Sequence, residues 1–163
     1  MLSWRFDCMQ IYFAASIAGG RNFLATYQRM VGSIKDLGHV VLTEHIVAAD
    51  VWHQESGLTP EQIYQRDVIW LQQADAVIAE VSNPSLGVGY EICYALFLAK
   101  PVLCLYHEPV LLSRMILGNH RPGLRLCAYQ QAGEWQKAIE LFLQDGSQGL
   151  GSEPFEAVRP AIV

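Results

Sequence analysis

The segment Asp75–Tyr106, DAVIAEVSNPSLGVGYEICYALFLAKPVLCLY, decides the fold class of this chain. It begins with the short apolar run DAVIAEV and ends with a second one, PVLCLY, and both runs have the length and composition of buried strands. Between them the turn SNPSLGVG leads into a very apolar helix that we expect to end near Ala99. Strands that alternate with helices in this way imply a parallel sheet with helices on both faces.

The same alternation continues on both sides of this segment. Toward the amino terminus it predicts a strand over 9–15, a helix over 21–37, a strand over 39–45, a long loop over 47–60 and a helix over 60–74. Thr59, Pro60 and Gln62 supply an N-cap, a first-turn proline and a capping box for that last helix. Toward the carboxyl terminus it predicts a short helix over 111–118, a strand over 124–129 and a helix over 132–145. We therefore expect one three-layer α/β domain over residues 1–145 and a disordered tail over residues 146–163.

The composition excludes several classes of function. The chain has 163 residues, 52% of them apolar, and a formal charge of −5 without a basic run, which argues against binding to nucleic acid. No apolar stretch approaches the length of a membrane span and no signal peptide is recognisable, so we expect a cytoplasmic protein without a membrane partner. The four cysteines form no CxxC pair and the five histidines show no ligand spacing. We therefore expect neither a metal nor a cofactor.

Two glycine-rich turns follow strands of the predicted sheet. In such sheets ligands bind at the carboxyl ends of the strands, and the free N–H groups of a helix start suit an anion. The two turns, SIAGGR and SNPSLGVG, match neither the P-loop nor the GxGxxG pattern, but both lie at this edge. Together they predict an anion pocket that includes Ser16, Gly19, Gly20, Arg21, Ser85 and Gly87.

Glu91 is the one charged side chain between Glu80 and Lys100. Burying a lone carboxylate is costly unless it is paired or used, and a helix that begins near Gly87 favours an ionised carboxylate close to its start. We therefore interpret Glu91 as a functional carboxylate. The alternative is that it caps free amides at the start of the helix.

Asp67 is a second carboxylate in an apolar setting. On the helix over 60–74 it falls in the middle of the stripe that faces the sheet, which is formed by Ile63, Trp70, Leu71 and Ala74. It therefore either borders a pocket or forms a salt bridge with an arginine such as Arg21.

Two carboxylates beside an anion site suggest cleavage of a glycosidic bond. One carboxylate attacks the sugar carbon and forms a glycosyl-enzyme, while the other assists the leaving group. Tyr12, in the first strand, would direct its hydroxyl toward the same crevice, the alternative being ordinary core packing. His45, at the end of the second strand, is a candidate pocket residue, the alternative being a surface or capping role.

Four motifs closely resemble those of the 2'-deoxynucleoside 5'-phosphate N-hydrolases, which belong to the nucleoside 2-deoxyribosyltransferase superfamily. They are IYFAASIAGGR (11–21), GHVVLTEHIVAAD (38–50), QRDVIWLQQADAVIAEVSNPSLGVGYEICYALFLAKPVLCLY (65–106) and LLSRMI (111–116). The resemblance covers about residues 10–144 and implies a flavodoxin-like, five-stranded parallel sheet ordered 2-1-3-4-5. It also implies hydrolysis of the N-glycosidic bond of 2'-deoxynucleoside 5'-monophosphates to a free base and 2-deoxyribose 5-phosphate.

The resemblance further implies roles for single residues. Glu91 matches the nucleophile, Asp67 the carboxylate that contacts the departing base, and Tyr12 the tyrosine beside the sugar. Ser113 and Met115 match residues that the neighbouring subunit donates, so a homodimer with shared sites is implied. The positions that match the family's 5'-phosphate pocket are Ser16, Gly20, Arg21, Ser85 and Gly87.

Two positions depart from the family pattern, and three other functions stay open. The pattern has glycine and arginine where this chain has Ala15 and Ala18, and the missing arginine removes a charged phosphate contact. One alternative is a deoxyribosyltransferase that passes the sugar of an unphosphorylated nucleoside to another base. A second is a ribonucleotide N-glycosidase of the same superfamily, against which Tyr12 argues. The third is a nucleotide-binding module without turnover.

Overall fold

The computed structural model of the chain, which describes residues 8–146, contains a five-stranded sheet with all strands parallel. The strands are β1 (Gln10–Ala15), β2 (Val40–Val41), β3 (Ala76–Glu80), β4 (Val102–His107) and β5 (Leu124–Tyr129). Their order, β2-β1-β3-β4-β5, confirms the expected flavodoxin-like α/β fold. The order reverses between β1 and β3, so the loops after these two strands border the crevice in which such sheets bind ligands.

Helices connect the strands on both faces of the sheet. In the described residues they are α1 (Leu24–Asp36), a 3-10 helix (Glu44–Val47), α2 (Val51–Glu55), α3 (Pro60–Gln73), α4 (Leu86–Phe97), α5 (Arg114–Leu117) and α6 (Ala132–Gly146). The predicted capping box of α3 is confirmed, because the Thr59 hydroxyl accepts from the N–H of Gln62 and the Gln62 side chain accepts from the N–H of Thr59. Between residues 8 and 146, no helix is both long enough and apolar enough to cross a membrane.

Alternate residues of the strands face opposite layers of helices. Phe13 of β1 and Ile78 of β3 pack with α1 and α6, whereas Tyr12 and Val77 pack with α3 and α4. This alternation follows the two-residue period of a strand. Because both faces are covered, side chains one position apart on the same strand reach two separate cores.

The second strand is shorter than the sequence predicts. A strand is expected over 39–45, but only Val40 and Val41 pair with β1. Beyond them the Thr43 hydroxyl accepts from the N–H of Phe13 at 2.9 Å and donates to its carbonyl oxygen at 2.6 Å. Since a side chain occupies these backbone groups of β1, β2 ends there and the chain turns into the 3-10 helix.

Two other expectations concern the segment 47–60 and the tail from residue 146. The segment 47–60 is not a single loop, because α2 occupies Val51–Glu55 within it. The expected tail begins at the last residue of α6, Gly146, and residues 147–163 lie outside the described residues.

Candidate active site

Tyr12 and Glu91 meet where the strand order reverses. Tyr12 is fully buried in β1, and Glu91 lies half-buried in the second turn of α4. The Tyr12 hydroxyl donates a hydrogen bond to Glu91 Oε1 at 2.8 Å. Ser85, not Glu91, caps α4, because its hydroxyl accepts from the N–H of Val88. Tyr12 therefore packs in the core and also orients the carboxylate.

The surroundings of Glu91 hold its pKa well above the ordinary value. Burial raises the pKa from 4.5 to about 7, the hydrogen bond from Tyr12 opposes part of this rise, and the charge of Asp67 adds to it. Burial and the two carboxylates also raise the pKa of Tyr12, so its hydroxyl stays protonated and remains a donor. An ionised Glu91 is therefore poorly solvated, which favours nucleophilic attack.

Asp67 brings a second carboxylate to the same place. It lies half-buried on α3, and its negative charge raises the pKa of both Tyr12 and Glu91. The arginine that pairs with it is its neighbour Arg66, whose Nε donates to Asp67 Oδ1 at 2.9 Å. The suggested salt bridge to Arg21 is wrong.

Charged and aromatic side chains surround this ion pair. Arg66 Nη2 donates to Glu55 Oε1 at 2.7 Å, and its guanidinium lies 4.9 Å from the centre of the Trp70 ring. His45 Nε2 lies 3.3 Å from Glu55 Oε1, and its ring centre is 5.4 Å from that of Trp70. Burial and the charge of Arg66 lower the pKa of His45, so its imidazole is mostly neutral at pH 7.

Sequence reasoning identified His45 but neither Glu55 nor Arg66. A signal for Arg66 was present, because Trp70 follows it by four residues and such residues are neighbours on a helix. Glu55 had no such signal, since α2 is too short to show a periodic pattern.

The two glycine-rich turns touch each other at the carboxyl ends of β1 and β3. A Cβ added to Gly19 would lie 2.1 Å from the carbonyl oxygen of Pro84, so only glycine permits this approach. Gly20 has a φ of 125°, which other residues rarely adopt, and its carbonyl oxygen accepts from Asn83 Nδ2 at 3.1 Å. We call this contact between Gly19–Gly20 and Asn83–Pro84 the turn junction.

Ser16 brings an unsatisfied hydroxyl to the turn junction. The side chain is fully buried, and among residues 8–146 its Oγ is the one buried side-chain nitrogen or oxygen without a hydrogen-bond partner. Leaving such a group unpaired costs about 1–3 kcal/mol, so a ligand or a water is expected there. Directly after Pro84 in the chain, Ser85 caps α4. The N–H of Gly87 lies in the first turn of that helix, where no helical acceptor is available.

Arg21 is engaged elsewhere. Its Nη1 and Nη2 donate to the carbonyl oxygens of Ile46 and Ala48, each at 2.8 Å. It therefore ties the turn after β1 to the 3-10 helix that carries His45, and its contact with a phosphate stays a prediction.

Ser113 and Met115 share a groove with Asn83 and Pro84 of the turn junction. They line a groove of about 920 Å³ between α4 and α5, which also includes Ser85 but neither Glu91 nor Asp67. The Ser113 hydroxyl caps α5 by accepting from the N–H of Met115 at 3.3 Å, and the Met115 side chain is exposed.

Three features of this site can do chemistry. They are the poorly solvated carboxylate of Glu91, the carboxylate of Asp67 that is paired with an arginine, and the turn junction with the unpaired hydroxyl of Ser16. Carboxylates in such different environments can divide the roles of nucleophile and proton carrier between them. The arrangement therefore suits displacement at a sugar carbon whose substituent carries negative charge.

Known proteins share both the sequence and the fold of this chain. A model of the nucleoside 2-deoxyribosyltransferase family matches residues 11–156. A Thermofilum pendens protein, provisionally named 2'-deoxynucleoside 5'-phosphate N-hydrolase 1, is 43% identical over 137 residues, which are 83% of this chain and 95% of that protein. The 5-hydroxymethyl-dUMP N-hydrolase of Mus musculus is 38% identical over 162 residues, which are 94% of this chain and 92% of that protein.

A solved structure agrees with the fold. The CMP N-glycosidase BcmB of Clostridium botulinum superposes with a TM-score of 0.62 over 82% of this chain and 98% of that one, and at 18% identity this shows a shared fold alone. The family model spans most of the chain, and the named relatives align over most of their own length. The chain therefore belongs to the nucleoside 2-deoxyribosyltransferase family and is an N-glycosidase.

Proposed function

We propose that the enzyme hydrolyses the N-glycosidic bond of 2'-deoxynucleoside 5'-monophosphates, which yields a free base and 2-deoxyribose 5-phosphate. The observation that carries this proposal is the hydrogen bond from Tyr12 to Glu91 beside Asp67. Retaining cleavage of a glycosidic bond needs two such carboxylates. The substrate class follows the names of the Thermofilum pendens and Mus musculus relatives.

In the first step a carboxylate oxygen of Glu91 attacks the anomeric carbon. A carbon–oxygen bond forms, the bond from that carbon to the base nitrogen breaks, and its electron pair leaves with the base. Water then attacks the same carbon as the bond from that carbon to Glu91 breaks, and the proton that the water loses passes through Asp67 to the base. This step releases 2-deoxyribose 5-phosphate and restores the Glu91 carboxylate. Tyr12 holds Glu91 in place and, as the family resemblance implies, favours a sugar without a 2'-hydroxyl.

Asp67 is the group that exchanges a proton with the departing base. Its ion pair with Arg66 fixes the orientation of the carboxylate, and Arg66 is held in turn by Glu55 and by the face of Trp70. His45 borders the same region through Glu55 and Trp70. These side chains therefore define the end of the site that receives the base.

The turn junction is the end that receives the 5'-phosphate. The unpaired Ser16 hydroxyl and the open N–H at Gly87 are donors, and Gly19 and Gly20 let the backbone approach an anion. Ala18 is exposed and offers no charge, and Arg21 uses both terminal nitrogens on backbone carbonyls. The phosphate is therefore held mainly by neutral donors of this chain.

A symmetric homodimer completes the site. Exposed apolar side chains surround the groove between α4 and α5: Leu86 is 97% exposed, Leu111 95% and Met115 83%. A surface patch of this kind is typical of a protein interface. Pairing of this face with a second copy would bring Ser113 and Met115 to the neighbouring phosphate end, since the groove already includes Ser85.

The test is release of free base by the wild type and by Glu91→Gln, side by side. The substrates are dGMP, 5-hydroxymethyl-dUMP, deoxyguanosine and GMP, each with and without an added acceptor base. We expect release from the deoxynucleotides alone, without need for an acceptor, and a loss of at least about a thousandfold in the variant, because a nucleophile contributes on this scale.

Other outcomes would redirect the assignment. Turnover of deoxyguanosine that requires an acceptor base would make the enzyme a transferase. Tight binding of deoxynucleotides without release of any base would make it a binding module. Undiminished release by Glu91→Gln would remove Glu91 from the role of nucleophile.

A further inference from the structure

Another carboxylate is buried on the face of the sheet opposite to Tyr12 and Glu91. Glu80, the last residue of β3, is fully buried, and no salt bridge to it occurs in the described residues. Its partners are the Ser82 hydroxyl, the Ser82 N–H at 3.3 Å and the Tyr129 hydroxyl at 2.9 Å. All are donors, which is the environment that an ionised carboxylate requires. Burial raises the pKa of Glu80, and these hydrogen bonds lower it again in part.

One branch of this network joins the ends of three strands. The Ser82 hydroxyl accepts from the N–H of His107, the last residue of β4, at 2.8 Å, so its single proton is directed to Glu80. Tyr129 is the last residue of β5. The carboxylate of β3 therefore holds the carboxyl ends of β4 and β5 against its own strand.

The other branch leads to the turn junction. Burial and the nearby charge of Glu80 raise the pKa of Tyr27, which is fully buried on α1. The amide of Asn83 donates to the Tyr27 hydroxyl at 3.3 Å and to the carbonyl oxygen of Gly20 at 3.1 Å. Asn83 follows directly on Ser82, which Glu80 holds through two hydrogen bonds. The link between the two glycine-rich turns thus depends on the acceptor at Glu80.

We propose that Glu80 is a positioning residue for the 5'-phosphate, because its carboxylate fixes the direction of the hydrogen bonds that hold the turn junction together. The inference rests on the proposed function, since it concerns the same substrate. Glu80 follows Ala79 on β3 and faces α1 and α6, whereas Tyr12 and Glu91 lie on the α3 and α4 side. It therefore affects binding of the phosphate and takes no part in breaking the bond.

The test compares Glu80→Gln with the wild type in turnover of a deoxynucleotide and in binding of the matching deoxynucleoside. Glutamine keeps the shape but replaces one acceptor oxygen by a donor, so one hydrogen bond of the network must break. We expect KM for the deoxynucleotide to rise about tenfold, the effect of one lost hydrogen bond, with kcat changed by less than about threefold. Affinity for inorganic phosphate, measured by calorimetry, falls by a similar factor, and affinity for the deoxynucleoside, measured in the same way, is unchanged.

Two further variants separate positioning from general destabilisation. Tyr129→Phe removes one donor of the network and is expected to raise the same KM by a smaller factor. Thr43→Val is the matched control, because it removes two buried hydrogen bonds to Phe13 and contacts neither turn. We expect it to lower the melting temperature and leave KM for the deoxynucleotide as it is.

Several results would overturn the inference. These are an unchanged KM and phosphate affinity in folded Glu80→Gln, or an equal loss of affinity for deoxynucleotide and deoxynucleoside. If Glu80→Gln does not fold, Tyr129→Phe carries the same comparison. If the wild type cleaves no deoxynucleotide, the proposed function fails, and the phosphate affinities of wild type and variants still decide whether Glu80 positions the turn junction.

Discussion

In its proposed role Glu91 attacks the sugar only when it is ionised, so its pKa of about 7 should set the acidic side of the pH profile. We expect kcat/KM to rise with pH and to reach its half-maximal value near pH 7. Tyr12→Phe shifts this midpoint to higher pH, because it removes a hydrogen bond that favours the ionised form. Asp67→Asn shifts it to lower pH, because it removes a nearby negative charge, and both variants also lower the maximal rate.

The measurement is kcat/KM between pH 5 and pH 9 with one substrate for all three proteins. The phosphate of that substrate titrates near pH 6 in every case, so a difference between the midpoints comes from the enzyme. Identical midpoints would contradict the role given to Tyr12 and Asp67.

The same buried charge reduces stability. The pKa of Glu91 is raised from 4.5 to about 7 in the folded protein, so ionisation opposes folding increasingly between these two pH values and fully above them. Glu91→Gln should therefore raise the free energy of unfolding at pH 8, by at most about 3 kcal/mol. The gain should vanish near pH 4, where the carboxyl is protonated in both states.

Urea unfolding of the wild type and Glu91→Gln at pH 8 and pH 4 measures this effect. Glu140→Gln serves as the control, since Glu140 is exposed on α6 and the same substitution there should change nothing. A less stable Glu91→Gln at pH 8 would show that the carboxylate gains more from its partners than it loses through burial.

At the residue scale the sequence identifies charged side chains that stand among apolar neighbours. Glu91 and Asp67 were found because each is a carboxylate among apolar neighbours, and the structure brings both to Tyr12. Glu55 and Glu80 were missed for a physical reason. Their importance comes from partners distant in the chain, such as Tyr129, and no local pattern reports such contacts.

At the scale of elements, two glycines respond oppositely to the same change. Gly19→Ala places a methyl group 2.1 Å from the carbonyl oxygen of Pro84 and must separate the two turns. Gly32→Ala adds a methyl group in the middle of α1 with nothing within 4 Å. We expect the first to raise KM for the deoxynucleotide at least about tenfold, and the second to stabilise the fold by about 0.5–1 kcal/mol.

Steady-state kinetics and thermal unfolding of both variants check this pair. Gly32→Ala is the control for the kinetics. The added methyl group there meets nothing within 4 Å, so KM of this variant should equal that of the wild type. An unaltered KM in Gly19→Ala would mean that the close approach of the turns has no part in binding.

Elements with a strong local signal were predicted well, and elements set by a single contact were not. The capping box at Thr59 and the apolar run of β5 gave bounds close to those observed. β2 was predicted too long, because its valines and leucine favour a strand, whereas the Thr43 side chain occupies the backbone of Phe13 and ends it. α2 was missed because five residues show no periodicity.

At the scale of the whole molecule, shared sites can be tested by mixing two inactive enzymes. In the proposed dimer a site combines Glu91 of one copy with Ser113 of the other. Glu91→Gln should be nearly inactive, and so should Ser113→Asp, because a carboxylate there repels the phosphate. Their mixture should recover up to about a quarter of the wild-type activity, since half of the dimers are mixed and each has one intact site.

Leu111→Asp tests the interface itself. Leu111 is 95% exposed in the groove between α4 and α5, and a charge there should convert the dimer to a folded monomer in sedimentation experiments. Gln136→Asp introduces the same charge at an exposed position of α6 and should leave the dimer intact. No recovery on mixing, together with a monomeric wild type, would place the entire site within one chain.

The hydrogen bond between Tyr12 and Glu91 spans 79 positions of the chain, and this separation has a consequence for folding. Contacts between distant segments form late and slowly, because a long loop must close before they contribute. Glu91, the proposed nucleophile, therefore keeps an ordinary, hydrated carboxyl until β1 and β3 have paired and α4 has docked on them. During refolding, the recovery of activity should follow the slowest structural step and lag behind the recovery of helix content. The return of activity therefore marks the completion of folding.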